Sequence, residues 1–187
     1  RGNDQSPKGY NRAKLYSGKA LDFDGVNDYI DAGNDFDILN SAFTITAHVW
    51  VDADTAENSI FEIVDNGSFP NHNTILFSAG SNQPTQYRLL IRNYKSNELD
   101  IKVTGTIEKD KWHYLTATFD GTNAKIYLNA IEQASGTFGD WTNPIGSIDH
   151  NYVGLSAGDR YLDGQIAGFK IFNTALTAAQ VADLYNN

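Results

Sequence analysis

Five residues near the start, Asp24-Gly25-Val26-Asn27-Asp28, gather three oxygen-bearing side chains around a glycine. Calcium takes six to eight oxygens from carboxylates, amides and backbone carbonyls, and a tight glycine turn aims several of them inward. The same residues also suit a plain hairpin turn in which Asp24 caps its own backbone. Two later loops offer similar chemistry. Asp65-Asn66-Gly67 opens a polar stretch reaching Asn73, long for a hairpin connection, and long ordered loops tend to be functional. Ser156-Ala157-Gly158-Asp159-Arg160 is the other. Arg160 is suited either to pairing with Asp159 or to gripping an anionic ligand group bidentately. Trp141 lies among loop-forming residues 138–144, where an indole can stack on a sugar, pack an interface or cover a sheet edge.

Other chemistries find less support. His48, His72, His113 and His150 show neither HxH nor HExxH spacing, so zinc is not expected. A glycanase needs two carboxylates roughly 5–9 Å apart on one face. Glu62 and Asp65 come nearest, but their odd offset keeps them off a common strand face. Glu57, Glu98, Glu108 and Glu132 are scattered. The chain is expected to bind and not to catalyse.

These residues must be positioned by a chain of 187 residues with 23 acidic and 14 basic side chains, net charge −9 and no cysteine. One domain is expected at that length. Disulfides and thiolate sites are excluded, and the charge opposes nucleic-acid or anionic-membrane partners. No apolar run approaches the 18 or so residues of a membrane span. Asp outnumbers Glu 18 to 5, beside 19 Asn, which favours turns over helices and supplies oxygen ligands. Period-two alternation is clearest from Phe43 to Val51, with Phe43, Ile45, Ala47, Val49 and Val51 on one face. Similar runs occur at 20–23, 29–31, 60–64, 74–77, 87–92, 99–103, 112–119, 125–128, 152–155 and 165–172, punctuated by Asp-Gly and Asn-Gly turns. That pattern predicts an all-β sandwich of two antiparallel sheets. A short C-terminal helix is expected after Thr177, whose capping box is completed by Gln180, with Val181, Leu184 and Tyr185 as its apolar stripe. It should cover a sheet edge or seal one end. Residues 1–18 read as a lead-in strand or tether and 19–187 as the domain.

Four segments carry a family resemblance: residues 19–30 (KALDFDGVNDYI), 43–50 (FTITAHVW), 112–121 (WHYLTATFDG) and 163–177 (DGQIAGFKIFNTALT). In this order they resemble the laminin-G-like, concanavalin-A-like jelly roll. That family includes pentraxins, carbohydrate-binding modules and ligand-binding domains of bacterial RTX adhesins. The resemblance implies a sandwich with loops gathered at one rim, mostly in binding proteins. It implies calcium at Asp24, Asn27 and Asp28. It also likens Asp65-Asn66 to the pentraxin Asp-Asn pair that reaches ligand through calcium. Should the two later loops converge, Asp65, Asn66 and Asp159 would share an ion open to ligand; otherwise they are two solvated loops. Ala167-Gly168 stands where relatives usually carry an acidic pair, leaving only backbone carbonyls there. Trp112 should be buried at the head of a core strand.

The resulting expectation is a calcium-dependent, lectin-like module of a bacterial extracellular or cell-surface adhesin. Its ligand would be a glycan or a peptide on a cell surface or matrix, met through Asp65, Asn66, Asp159, Arg160 and Trp141. Flanking domains of a longer chain are implied. The alternative is a non-catalytic carbohydrate-binding module of a polysaccharide-degrading enzyme, with calcium purely structural.

Overall fold

The computed structural model describes residues 14–16, 20–34, 42–52, 58–64, 74–79, 86–92, 98–103, 108, 111–138, 150–156 and 159–186. Its strands are β1 (Lys14–Tyr16), β2 (Ala20–Asp24), β3 (Ile30–Asp31), β4 (Phe43–Val51), β5 (Asn58–Val64), β6 (Thr74–Ala79), β7 (Tyr87–Arg92) and β8 (Glu98–Lys102). They continue with β9 (His113–Phe119), β10 (Asn123–Leu128), β11 (Ile131–Thr137), β12 (His150–Val153), β13 (Leu155–Ser156), β14 (Arg160–Tyr161) and β15 (Asp163–Phe172), before helix α1 (Ala178–Asn186). A seven-stranded sheet runs β1-β2-β15-β4-β9-β10-β11 and a six-stranded sheet β3-β12-β5-β6-β7-β8; β13 and β14 form a separate hairpin. Every strand pairing among the described residues is antiparallel, including β2 with β15 and β4 with β9. This is the two-sheet antiparallel sandwich expected from the alternation, in the jelly-roll form that the resemblance implies.

The core lies between the sheets, because each inner face contributes every second residue. Phe43, Ile45, Ala47 and Val49 of β4 meet Phe61 and Ile63 of β5 and Ile75 and Phe77 of β6, all fully buried. Phe61 packs against Phe169 of β15 at 5.2 Å between ring centroids, which ties one sheet to the other. The bulge in β15 between Ala167 and Lys170 includes Gly168, whose φ is 58°.

Helix α1 begins as its capping box requires. The Thr177 amide donates to Gln180 Oε1 at 2.9 Å, and the Gln180 amide donates to Thr177 Oγ1 at 3.3 Å. The helix reaches β11, the edge strand of the seven-stranded sheet, as expected of an edge cover. It lies on the outer face of the seven-stranded sheet, where Tyr185 meets Tyr114 and the Leu176 amide donates to Thr44 Oγ1. That placement explains why Thr44, Thr46, Thr116 and Thr118, all on the outward face, are buried.

His113 and His48 flank this sheet on opposite faces, in register with Val49 and Tyr114 respectively. Burial holds both imidazoles below the ordinary histidine range, helped by Lys111 beside His113 and Lys170 beside His48. The folded chain therefore resists protons that the unfolded chain accepts. Stability is complete above the unfolded value near 6.5 and is lost as pH falls from there through the depressed folded values. His48→Gln should flatten the loss measured in urea melts between pH 7 and 5; an unchanged slope would refute this assignment.

Candidate functional site

The Asp24–Asp28 turn is built by its own backbone. Asp24 Oδ1 accepts the amides of Val26 at 2.9 Å and Asn27 at 3.2 Å, and Asp28 Oδ2 accepts the Asp24 amide at 3.2 Å. Gly25 permits the reversal with φ of 71°. Asp28 is 3% exposed, whereas Asp24 and Asn27 face solvent. Register then brings a distant carboxylate alongside. Asp163 pairs with Asp24, and the Asp52 amide donates to the Asp163 carbonyl at 3.0 Å. A Cβ on Gly25 would come within 2.8 Å of Asp163 Cβ, so the turn rests directly on that residue. The Asp163 amide is held by Asn58 Oδ1 at 2.9 Å.

Burial raises the Asp163 carboxyl above its ordinary value, and the charges of Asp52, Asp24 and Asp22 raise it further. The folded state therefore favours protonated Asp163, and ionising it at neutral pH costs stability. In chelator, Asp163→Asn should stabilise the fold at pH 7 by roughly 0.2–1 kcal/mol, the scale of a like-charge cross-strand pair. The gain should vanish near pH 3. Equal or lower stability of the variant at pH 7 would contradict the cluster.

The turn also adjoins the β13–β14 hairpin. The Gly25 amide donates to the Leu162 carbonyl, and the Leu162 amide to the Gly154 carbonyl, both at 2.9 Å. Tyr29, next after Asp28, packs against Tyr161 at 6.4 Å and edge-on to Tyr152 at 5.7 Å. Burial, followed by the charges of Asp31, Tyr29, Glu62 and Tyr161, pushes the Tyr152 phenol up to about 12. Asp159 stands at this hairpin with φ of 58°, a conformation Asp tolerates in tight turns. Arg160 pairs across it with Ser156.

The hairpin that carries Asp159 and Arg160 is thus tied to the Asp24 turn through Leu162 and Tyr161. The strand that leads to Asp65 leaves elsewhere. Val64 pairs with His150 at one end of β5, whereas Leu155 accepts Ser59 Oγ near the other. Seven residues of strand separate those ends by roughly 20 Å. Asp65, Asn66 and Trp141 themselves lie outside the described residues. Glu62 is buried and accepts Thr74 Oγ1 at 2.8 Å. Trp112 departs from expectation: it stands just ahead of β9, is 41% exposed, and meets Trp50 edge-on at 5.9 Å. By strand parity both indoles belong to the outward face. Gly154-Leu155-Ser156-Ala157-Gly158 has the spacing of a hydrolase nucleophile elbow. Ser156, however, sits buried in a strand of the hairpin, without the strand-to-helix turn that exposes such a nucleophile.

The turn fits calcium by donor chemistry, since Asp24, Asn27 and Asp28 offer only hard oxygens. Asp24's capping role is compatible with this, because a carboxylate has about four lone-pair positions. Among the described residues no three acidic or histidine side chains converge on one point. An ion here would therefore draw its remaining ligands from backbone carbonyls and water.

Two stacked antiparallel sheets with a loop-and-hairpin rim define a laminin-G-like jelly roll, a ligand-binding fold. Residues 24–182 match the model of the concanavalin A-like lectin/glucanases superfamily, and the chain belongs to that family. No curated protein sequence matches it. Among solved structures it resembles the SAP-like pentraxin of Limulus polyphemus, at 14% identity and TM-score 0.65, covering 89% of this chain and 81% of that one. The Trypanosoma rangeli sialidase is matched at 17% identity and TM-score 0.70, over 89% of this chain and 27% of the sialidase. The receptor binding domain of a botulinum neurotoxin C/D mosaic serotype is matched at 14% identity and TM-score 0.72, over 93% and 44%. The chain spans less than half of the last two, and at these identities the likeness is one of fold. No helix among the described residues is long and apolar enough to cross a membrane.

Proposed function

We propose that this domain is a calcium-dependent, lectin-like binding module of a bacterial extracellular adhesin, with a glycan or a peptide as its ligand. The observation that carries the proposal is the oxygen-only turn of Asp24, Asn27 and Asp28, held by its own amides beside Asp163, whose carboxyl is raised by burial and by neighbouring carboxylates. A divalent ion there would reverse the sign of the local electrostatics. It would also leave coordination positions that hydroxyls or a carboxylate of the ligand can fill. Asp159 and Arg160, on the adjoining hairpin, are the proposed ligand contacts; Asp65, Asn66 and Trp141 remain proposals from their sequence positions. Millimolar calcium outside cells would load such a site, and the metal would then contribute to folding after export. The role is binding and not catalysis, in keeping with the burial of Glu62 beneath Thr74.

Calorimetric titration of calcium into the chelator-treated domain tests the metal. The wild type should take up the ion, and Asp28→Ala should bind it at least tenfold more weakly. Uptake unchanged in Asp24→Ala and Asp28→Ala together would move the ion elsewhere.

A further inference from the structure

We infer that the end of the seven-stranded sheet's outer face left open by α1 docks a basic, arginine-bearing peptide segment. Three neighbouring strands align Asp24, Asp163 and Asp52 in one row across this face, since Asp163 pairs with Asp24 and bonds through its backbone to Asp52. The next row holds Asp22, Gln165 and Trp50, continued by Trp112 beyond the Val49–His113 pair. Like charges directly opposite on adjacent strands destabilise a sheet. The charges that act on Asp163 are those of three carboxylates, Asp52, Asp24 and Asp22. Among the described residues, Lys14 of the edge strand β1 pairs in register with Asp22, and Lys170 pairs with Thr46 farther along the sheet.

The indoles make the face more than an acidic patch. Trp50 Nε1 donates to Asp52 Oδ1 at 2.6 Å, which fixes that ring beside the carboxylate row. Trp112, packed edge-on against it, keeps 41% of its surface in solvent. An arginine guanidinium suits both features together. Its planar fork pairs with a carboxylate, and its flat face stacks on an indole, where a lysine ammonium can offer only a point charge. The contrast along the same sheet face is direct: α1 buries the threonines at one end, and at the aromatic-acidic end Trp112, Asp24 and Asp52 stay exposed.

Hexa-arginine and hexa-lysine peptides, titrated into the domain in chelator and followed by tryptophan fluorescence, test this independently of any calcium site. Hexa-arginine should bind at least threefold more tightly than hexa-lysine. Trp112→Ala and Asp163→Asn should each weaken it at least fivefold, while Glu132→Gln, remote on β11, should change it less than twofold. Equal binding of both peptides, no binding, or equal losses in the Glu132 and Asp163 variants would overturn the inference. The last result would reduce the attraction to net charge. Asp163→Asn also guards against a misfolded Trp112 variant, because it is expected to stabilise the sheet.

Discussion

Gly164→Ala should lower the unfolding free energy by about 3 kcal/mol or more, combining a strained backbone with an overpacked contact. Gly164 opens β15 with φ of 152°, and an added Cβ would collide with the Trp50 carbonyl and come within 3.1 Å of Val51 Cα. Both obstacles are backbone of the neighbouring strand, so neither can rotate away. Relief would have to part β15 from β4, the pairing that places Asp163 beside Asp24 and Asp52. Gly121→Ala isolates the conformational part, since its φ is 96° but nothing stands within 4 Å of the added carbon. That variant should lose only about 1–2 kcal/mol. Urea unfolding should therefore separate the two substitutions clearly, and a Gly164→Ala loss below 0.5 kcal/mol would show that the strands can yield.

Calcium should raise stability by about 2.7 kcal/mol at a concentration 100-fold above its dissociation constant, if only the folded chain binds it. For a domain of this size that is roughly 5–11 °C in melting temperature. The effect belongs to Asp24, Asn27 and Asp28, so Asp28→Asn should abolish most of the calcium-dependent difference. Its melting temperature in chelator is a poorer guide, because Asp28 also holds the Asp24 amide. Asp163→Asn should shrink the calcium increment from the other side, having already relieved the repulsion that the ion would relieve. Superimposable melts with calcium and with chelator would remove the metal.

Sequence alone revealed those elements whose local pattern matches their surroundings. The alternation in β4 reads directly because one face meets the core and the other the helix or solvent. The C-terminal helix was legible from Thr177 and Gln180, whose side chains make the capping bonds expected of them. Strand β11 was not, since Ile131-Glu132-Gln133-Ala134-Ser135-Gly136-Thr137 is a polar edge strand with no inward stripe to detect. Trp112 was misread as core because it precedes β9 by one residue and falls with Trp50 on the opposite face. The Asp24 turn could be read from five consecutive residues. Its neighbour Asp163 could not, because that adjacency is created by the register of strands about 140 positions apart. The hairpin that bears Asp159 and Arg160 meets the turn through Leu162 and Tyr161, a contact equally hidden in the sequence.

The most direct test of calcium-dependent recognition is an array of glycans and peptides probed with the domain in millimolar calcium and again in chelator. A defined set of ligands should bind in calcium, be lost in chelator, and be lost in Asp28→Ala with calcium present. Binding to the same ligands with equal strength in chelator would contradict it.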